Sequence, residues 1–246
     1  MLIECDAAQL EWRCAMFLSQ DKTGIQEVLE DVDFHSHNQK LHKFPEGKDG
    51  RDLAKTFIFR AIYKGPAYAY ANDPRFMEVS TSEKYWQGVI DATYEKYSGL
   101  AQWHAEIIQQ VNATGRLCNP TGRVYQFESQ GHKGYAERDI VNHPVQGLGA
   151  EFMAVARVTA LNRYPKFELK DRMLFVNTVH DSIVVDADVQ EGSKELEKVC
   201  IFLEDCFSDI PRNFERLYGV KVNVPLAGEC KYGHTWANMT KFKRSV

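Results

Sequence analysis

Apolar positions recur along this chain with two different periods, one typical of strands and the other of helices. Leu2, Ile3 and Cys5 precede Asp6 in a short run that predicts an N-terminal strand. Helical spacing of apolar residues then predicts helices in five stretches: 8–19, 25–31, 50–63, 82–111 and 143–163. Glycine and proline separate most of these stretches, as expected where helices end.

Strand patterns return in the second half of the chain. Glycine, asparagine and proline break up short runs in 114–127, which indicates a hairpin. Two β-rich runs, 173–179 and 182–189, meet at His180-Asp181, and a helix at 191–207 and a strand pair at 220–232 complete the pattern. Strands at both ends that enclose a helical middle predict a discontinuous α+β domain with a helical insertion.

Composition narrows the class of protein. The 246 residues are 44% hydrophobic and 26% charged, which is typical of a globular chain with a sizeable core. A net charge of −4 argues against a protein that coats nucleic acid, but an enzyme needs only a positive groove. We find no apolar run long enough to span a membrane, and six cysteines without a CxxC pair suggest reduced thiols in an intracellular protein.

Two aspartates far apart in sequence are the first candidates for chemistry. Asp6 and Asp181 each lie at or beside the end of an apolar β run, where a sheet edge can hold a carboxylate rigidly. Two such carboxylates that meet in space could bind two Mg²⁺ ions, which prefer oxygen ligands. The residues alone leave open that both are unrelated aspartates in surface turns.

Two rows of residues are spaced by four, so that each row lies on one face of a helix. Two cations and two aromatic residues make the first row, which could hold a triphosphate and stack a base: Arg51, Lys55, Phe59 and Tyr63. The second row, Arg138, Asn142 and Gln146, is suited to hydrogen bonds with sugars or bases. The alternatives are a solvated helix start with a core-facing end for the first row, and an exposed helix face for the second.

A histidine cluster offers a different chemistry. His35, His37 and His42 could contribute to a zinc site, since His-x-His is a ligand pattern for that metal. No carboxylate or cysteine stands at a convincing spacing from them, which favours a structural or surface role.

Together these segments resemble the motifs of family A DNA polymerases, the bacterial polymerase I and phage type. Residues 3–13, I-E-C-D-A-A-Q-L-E-W-R, resemble motif A; residues 51–63 resemble motif B; and T-V-H-D at 178–181 resembles motif C. The row in 138–147 resembles the family's R-x3-N-x-P-x-Q-G segment, and 33–35 and 121–123 resemble its D-[IV]-H and glycine-arginine segments.

The resemblance implies a role for each candidate residue. Asp6, Asp181 and the main-chain carbonyl of Ala7 would hold two Mg²⁺ ions. Lys55 would act on the pyrophosphate leaving group, and the residues implied in nucleotide binding are Gln9, Glu11, His35, Arg51, Lys55, Phe59 and Tyr63. Glu11 and Tyr63 would exclude a ribose 2′-OH. The residues implied in DNA binding are Arg123, Arg138, Asn142, Gln146 and His180.

The resemblance also implies an architecture and an activity. The fold expected is α+β, an antiparallel-sheet palm (1–13 and 173–246) with a mostly helical fingers insertion (14–172) that carries the DNA-contacting hairpin and helix. The expected function is template-directed 5′→3′ DNA synthesis from dNTPs on primer-template DNA, in the cytoplasm of a bacterium, as a phage or prophage protein. The alternative is a non-catalytic nucleic-acid-binding remnant.

Two further expectations concern what surrounds the motifs. The family places a thumb, and usually an exonuclease domain, before motif A, so we expect both to be absent here and to be supplied by an N-terminal polypeptide or chain segment. The sequence also departs from the family at four positions: Ala8 replaces a serine, Arg60 and Lys64 replace glycines, and Ser182 replaces the glutamate after the motif C aspartate. The basic replacements suggest extra contacts with the template backbone.

Overall fold

The structure, a computed structural model, describes residues 1–244, in which an N-terminal strand is followed by a long helical stretch and the other strands come after residue 115. The strands are β1 Leu2–Ala7, β2 Arg116–Cys118, β3 Val124–Gln126, β4 Met173–Asn177, β5 Ser182–Ala187, β6 Gly228–Gly233 and β7 Thr240–Lys241. The α-helices are α1 Leu10–Ser19, α2 Lys22–Leu29, α3 Phe34–Leu41, α4 Lys48–Ile62, α5 Ala67–Ala71, α6 Pro74–Met77, α7 Glu83–Lys96, α8 Ser98–Thr114, α9 Glu137–Arg163, α10 Lys194–Ser208 and α11 Ile210–Tyr218. Short 3-10 helices cover Gly131–Lys133, Tyr164–Lys166, Lys170–Arg172 and Trp236–Asn238.

Strands from both ends of the chain form one antiparallel sheet in the order β4-β5-β1-β6-β7. The N-terminal strand β1 therefore lies in the centre and pairs with β5 on one side and β6 on the other. The two short strands β2 and β3 form a separate hairpin, as 114–127 predicts. The α+β fold with a helical insertion is confirmed.

The prediction of a strand pair in 220–232 was wrong. Val222, Val224 and Leu226 are buried and alternate with exposed residues, which gives this segment the pattern of a strand. The segment is nevertheless extended chain outside the sheet, and the strand begins only at Gly228. Pro225 lacks a backbone N–H and cannot donate to a ladder, so the side chains bury without strand pairing.

The chain divides into two compact units. A sheet unit comprises Met1–Leu10 and the described residues from Gly147 onwards, and a helical unit comprises Glu11–Gln146. The later part of α9 packs within the sheet unit. Phe152 and Phe214 are both fully buried there, with ring centroids 4.9 Å apart. The palm (1–13 and 173–246) and fingers (14–172) bounds stay a prediction.

A layer of cysteines backs the central strand of the sheet unit. Cys5 on β1 and Cys230 on β6 are paired in register, and both are buried with Cys200 of α10. Burial raises the pKa of the Cys5 thiol, which keeps it protonated at neutral pH. Gly228 is required for this close packing, since a Cβ atom there would lie 2.6 Å from Cys5 Sγ.

The helical unit has an aromatic core of its own. Phe57 of α4 and Trp86 of α7 are fully buried, and Tyr70 packs between the two with its ring centroid 5.1 Å from Phe57 and 5.5 Å from Trp86. Phe57 thus fixes the buried side of the helix that carries the predicted triphosphate row. None of the helices in residues 1–244 has both the length and the apolar character needed to cross a membrane.

Phe152→Ala should lower the free energy of unfolding of the sheet unit by about 3–5 kcal/mol, because it removes a buried ring and leaves a cavity against Phe214. Urea unfolding followed by circular dichroism would measure this loss. Val158→Ala is the matched control on the same helix, since Val158 is 51% exposed. A loss below about 1 kcal/mol in Phe152→Ala would contradict the packing described here.

Candidate active site

The sheet brings the two predicted metal-binding aspartates to neighbouring positions. Asp6, near the end of β1, faces Ser182 in the β1–β5 register, and the backbone N–H of Ala7 donates to the carbonyl of Asp181 at 2.9 Å. Asp181 is half-buried and lies in the turn that leads from β4 to β5. His180, before it, has a φ of 51°, a left-handed conformation that turns the chain tightly and that non-glycine residues rarely adopt.

A lysine that the sequence analysis did not single out lies on one of these carboxylates. Lys231 Nζ donates to Asp6 Oδ2 at 2.9 Å, and this hydrogen bond raises the pKa of Lys231. In the β1–β6 register Lys231 stands directly opposite Glu4. Sequence spacing gives no signal for Lys231, because only the pairing of strands from opposite ends of the chain places it beside Asp6. Glu4 lies on β1 itself, two residues before Asp6 and on the same face of the strand.

Ser182, which stands where the family has a glutamate, contacts a glutamate on the neighbouring strand. The Ser182 side chain is buried at the position opposite Asp6, where it donates to Glu4 Oε1 at 3.2 Å and lies 3.0 Å from the carbonyl oxygen of Val179. The carboxylate that the family carries after the motif C aspartate is thus missing from β5, while a carboxylate on β1 lies within hydrogen-bond distance of the replacing hydroxyl.

The donors at this end of the sheet fit a hard divalent cation. Asp6 and Asp181 would supply the carboxylate oxygens, and the lysine ammonium on Asp6 shows that this carboxylate accepts a cationic partner in the folded protein. Within residues 1–244 no group of three or more histidine, cysteine, aspartate or glutamate side chains is arranged to hold a metal. An ion such as Mg²⁺, which keeps several waters and needs one or two carboxylates, is compatible with such a sparse set.

The helical unit brings four of the predicted nucleotide-binding residues together. Arg51 and Phe59 are on α4, and the ring of His35 from α3 lies 6.2 Å from that of Phe59. Lys55 Nζ lies 6.0 Å from the same Phe59 ring. His35 is buried, and burial together with the charges of Arg51 and Lys55 lowers its pKa to about 4, so the imidazole is neutral at pH 7.

Arg51 already has a carboxylate partner. Its Nε and Nη2 donate to the two oxygens of Asp33 at 2.9 and 3.0 Å, a bidentate pair. These hydrogen bonds hold the pKa of Asp33 well below its usual range. Asp33 also caps the N-terminus of α3 through the N–H of Ser36, so it fixes the guanidinium relative to the helix that carries His35.

Glu11, Tyr63 and Gln146 form a second group in the helical unit. The Gln146 side-chain amide donates to the Tyr63 hydroxyl at 2.7 Å and also to Glu11 Oε1. Burial, and then the charge of Glu11, raises the pKa of Tyr63, which keeps its hydroxyl protonated. The structure thus joins Gln146, which the resemblance assigns to DNA, with the two residues expected to exclude a 2′-OH.

The other predicted DNA-binding residues belong to both units. Arg138 and Asn142 lie one turn apart in α9, Arg123 is exposed beside the β2–β3 hairpin, and His180 is exposed in the sheet unit. Gln9, between β1 and α1, is half-buried and has a φ of 53°.

The two basic replacements in motif B have partners within the helical unit. Arg60 forms an ion pair with Asp73 and lies 5.0 Å from the ring of Phe76, and Lys64 pairs with Glu137 at 2.7 Å. These ion pairs give both cations a structural function, whereas the suggested contacts with the template backbone stay a prediction.

The three histidines considered for zinc have separate surroundings. His42 Nε2 lies 3.1 Å from Thr93 Oγ1, and His37 Nδ1 lies 3.3 Å from Glu27 Oε1. The observed contacts therefore support the structural role that the sequence favours for His42.

Residues 1–238 match the family model described as DNA polymerase family A. The chain belongs to this family. DNA polymerase I of Caldicellulosiruptor bescii is 25% identical over 245 residues, an alignment that covers 96% of this chain and 26% of that protein. DNA polymerase theta of Drosophila melanogaster is 22% identical, with 96% of this chain and 11% of that protein covered.

The fold agrees with that of a solved family A structure. The POL domain of Pol1 from M. smegmatis, in complex with DNA primer-template and dNTP, superimposes with a TM-score of 0.74 at 21% identity. The match covers 96% of this chain and 40% of that one. The chain therefore spans about a quarter or less of the curated relatives named here and less than half of the solved domain.

Acid should destabilise the helical unit through its buried histidines. Burial lowers the pKa of His42 to about 4 and that of His104 to about 3, against about 6.5 in the unfolded chain. Between pH 6.5 and about 4 the unfolded chain binds protons that the folded chain does not, so the free energy of unfolding falls as the pH falls, by up to ~1.4 kcal/mol per pH unit for each histidine.

Urea unfolding between pH 7 and pH 4.5 would measure this slope. His42→Gln should flatten the slope because it removes one titrating ring. Thr93→Val, which removes the hydrogen-bond partner of His42 but keeps the ring, should leave most of the slope in place. Equal slopes in wild type and His42→Gln would contradict the prediction.

Proposed function

We propose that this chain catalyses template-directed 5′→3′ DNA synthesis from dNTPs, as the palm and fingers of a family A DNA polymerase. The observation that carries the proposal is the pairing of β1 with β5: Asp6 faces Ser182, and the N–H of Ala7 donates to the carbonyl of Asp181, so the motif A and motif C aspartates lie at the same end of the sheet. Family membership over residues 1–238 supports the same reaction.

The sheet unit would hold the metal ions. Asp6, Asp181 and the main-chain carbonyl of Ala7 would be the protein ligands of two Mg²⁺ ions. When bound, such ions stabilise the attacking and leaving oxygens of a phosphoryl transfer. The contribution of the protein would be to hold both residues by backbone pairing: Asp6 within β1, and Asp181 in the turn whose carbonyl accepts the N–H of Ala7.

The helical unit would bind the incoming nucleotide. Arg51 would bind the triphosphate through its planar guanidinium, and Asp33 would orient that guanidinium before the nucleotide binds. Lys55 would bind the same phosphates and donate a proton to the departing pyrophosphate. His35, neutral at pH 7, would donate an N–H hydrogen bond rather than a charge, and the ring of Phe59 would stack near the base and sugar.

Selection for deoxynucleotides would depend on the second group of the helical unit. Glu11 and Tyr63 would occupy the space that a ribose 2′-OH needs, and the Gln146 amide, bound to both, would keep them in place. Gln146 would then serve sugar selection as well as contact with DNA. Gln9 would complete the nucleotide-binding residues on the motif A side.

Primer-template DNA would be the macromolecular partner. Arg123, Arg138, Asn142 and His180 would contact its backbone and sugars, in keeping with the family's motif positions. We further propose a phage or prophage setting in a bacterial cytoplasm. A thumb-bearing segment, in this or another polypeptide, would help to grip the duplex, since affinity for DNA depends on many phosphate contacts.

Asp6→Asn and Asp181→Asn should each lower nucleotide incorporation at least about a hundredfold, because each removes a charge needed where negative charge develops in the transition state. Primer extension with labelled primer would measure the loss, with the chain alone and with a thumb-bearing family A segment added. Asp188→Asn is the matched control, since the Asp188 side chain is 90% exposed just after β5.

Two results of this experiment would count against the proposal. A wild-type rate in Asp181→Asn would reject its role as a metal ligand. Binding of primer-template without any incorporation, even with the added segment, would favour the alternative of a non-catalytic nucleic-acid-binding remnant.

Glu11→Ala should raise ribonucleotide incorporation relative to deoxynucleotide incorporation by about ten- to a hundredfold, because it opens the space for a 2′-OH. Gln146→Ala should shift the ratio in the same direction by a smaller factor, since both Glu11 and Tyr63 lose a common hydrogen-bond donor. Single-nucleotide incorporation with paired dNTP and rNTP would give the ratio. An unchanged ratio in Glu11→Ala would reject the proposed steric role.

A further inference from the structure

Lys231 places an ammonium group on a carboxylate that the proposed function assigns to metal. The 2.9 Å contact joins Lys231 Nζ to Asp6 Oδ2, and the two side chains are 43% and 27% exposed. Both groups therefore keep contact with solvent. An ion pair of this kind is weak enough to exchange its partner, unlike a fully buried one.

The sheet register gives Lys231 a second carboxylate within reach. Lys231 is the direct cross-strand partner of Glu4, whereas Asp6 is two residues further along β1 and faces Glu229. Direct and diagonal cross-strand neighbours are both accessible to a long side chain on one face of a sheet. A change of rotamer would therefore move the ammonium from Asp6 to Glu4 without movement of the backbone.

Glu4 is held in a position suited to receive this charge. The Ser182 hydroxyl donates to Glu4 Oε1 at 3.2 Å and is itself buried opposite Asp6. A glutamate at position 182 would instead put a further negative charge directly across from Asp6. The serine leaves that position neutral and orients a carboxylate two residues away on β1.

We propose that Lys231 is an internal counter-ion that occupies the Asp6 carboxylate in the metal-free protein and transfers to Glu4 when a divalent cation binds. The proposal rests on the proposed function, because it takes Asp6 as a metal ligand. Its consequence is that metal must displace a resident cation, so Lys231 lowers the affinity for metal while it neutralises the aspartate in the free enzyme.

Binding of Mn²⁺ alone to the full chain, followed by electron paramagnetic resonance of the free ion, tests this without any polymerase activity. Lys231→Met should tighten Mn²⁺ binding about three- to tenfold, since it removes both the competing ion pair and a like charge beside the metal. Lys231→Arg, which keeps the charge, should bind Mn²⁺ about as weakly as wild type.

Lys241→Met is the matched control. Lys241 faces Lys231 across the β6–β7 pair and forms its own ion pair with Glu229 at 2.8 Å. Its removal changes the net charge by the same amount but leaves Asp6 and its lysine intact. Because Glu229 faces Asp6 in the β1–β6 register, any tightening of Mn²⁺ binding in Lys241→Met measures the general effect of a lost positive charge. Lys231→Met should tighten binding by a larger factor than Lys241→Met, and equal tightening in the two variants would overturn the counter-ion role.

The receiving role of Glu4 has a separate readout. Glu4→Gln should weaken Mn²⁺ binding more in the wild-type background than in the Lys231→Met background, because only the former has an ammonium to relocate. Equal effects in the two backgrounds would overturn the transfer to Glu4.

The remaining outcomes separate this inference from the proposed function. If Asp6→Asn abolishes Mn²⁺ binding but Lys231→Met binds as wild type does, the counter-ion role is wrong and the metal role of Asp6 stands. If Asp6→Asn and Asp181→Asn bind Mn²⁺ as wild type does, the metal site itself is wrong and the counter-ion proposal falls with it.

Discussion

The antiparallel pairing of β1 with β5 is the constraint on which the proposed chemistry depends. It joins the first strand of the chain to a strand more than 170 residues later, and backbone hydrogen bonds set its register. A shift of one residue would move Asp6 to the opposite face of the sheet, into the position now taken by buried Cys5. The central place of β1, with partners on both sides, makes such a shift costly.

Paired charges are the second theme of the structure. Three ion pairs lie in or beside the segments that resemble family motifs: Arg51 with Asp33, Lys64 with Glu137, and Lys231 with Asp6. In a chain with a net charge of −4, each of these ion pairs neutralises its cation within the folded protein. Under the proposed function, binding of a nucleotide to Arg51 or of a metal ion to Asp6 would be an exchange of partners rather than a simple attraction.

Sequence reasoning succeeded where the determining signal is local. The four-residue spacing of Arg51, Lys55 and Phe59 does reflect one helix, and the strand run before Asp6 is a strand. It failed where pairing between distant strands determines the structure. Residues 220–227 alternate like a strand but pair with none of the described strands, and Lys231 reaches Asp6 only through the β1–β6 register. The roles of the site residues rest on the family resemblance and on the proximity described above.

The reactivity of the buried cysteines in and beside β1 would report local opening of the sheet. Cys5 is adjacent in sequence to Asp6 and fully buried, and Cys230 across from it is 1% exposed, whereas Cys118 lies on the exposed hairpin. A thiol reagent would modify Cys118 in the native state but Cys5 only in molecules whose central strands have separated. The modification rate of Cys5 would thus measure, in the unaltered chain, how often the backbone that holds the aspartates comes apart.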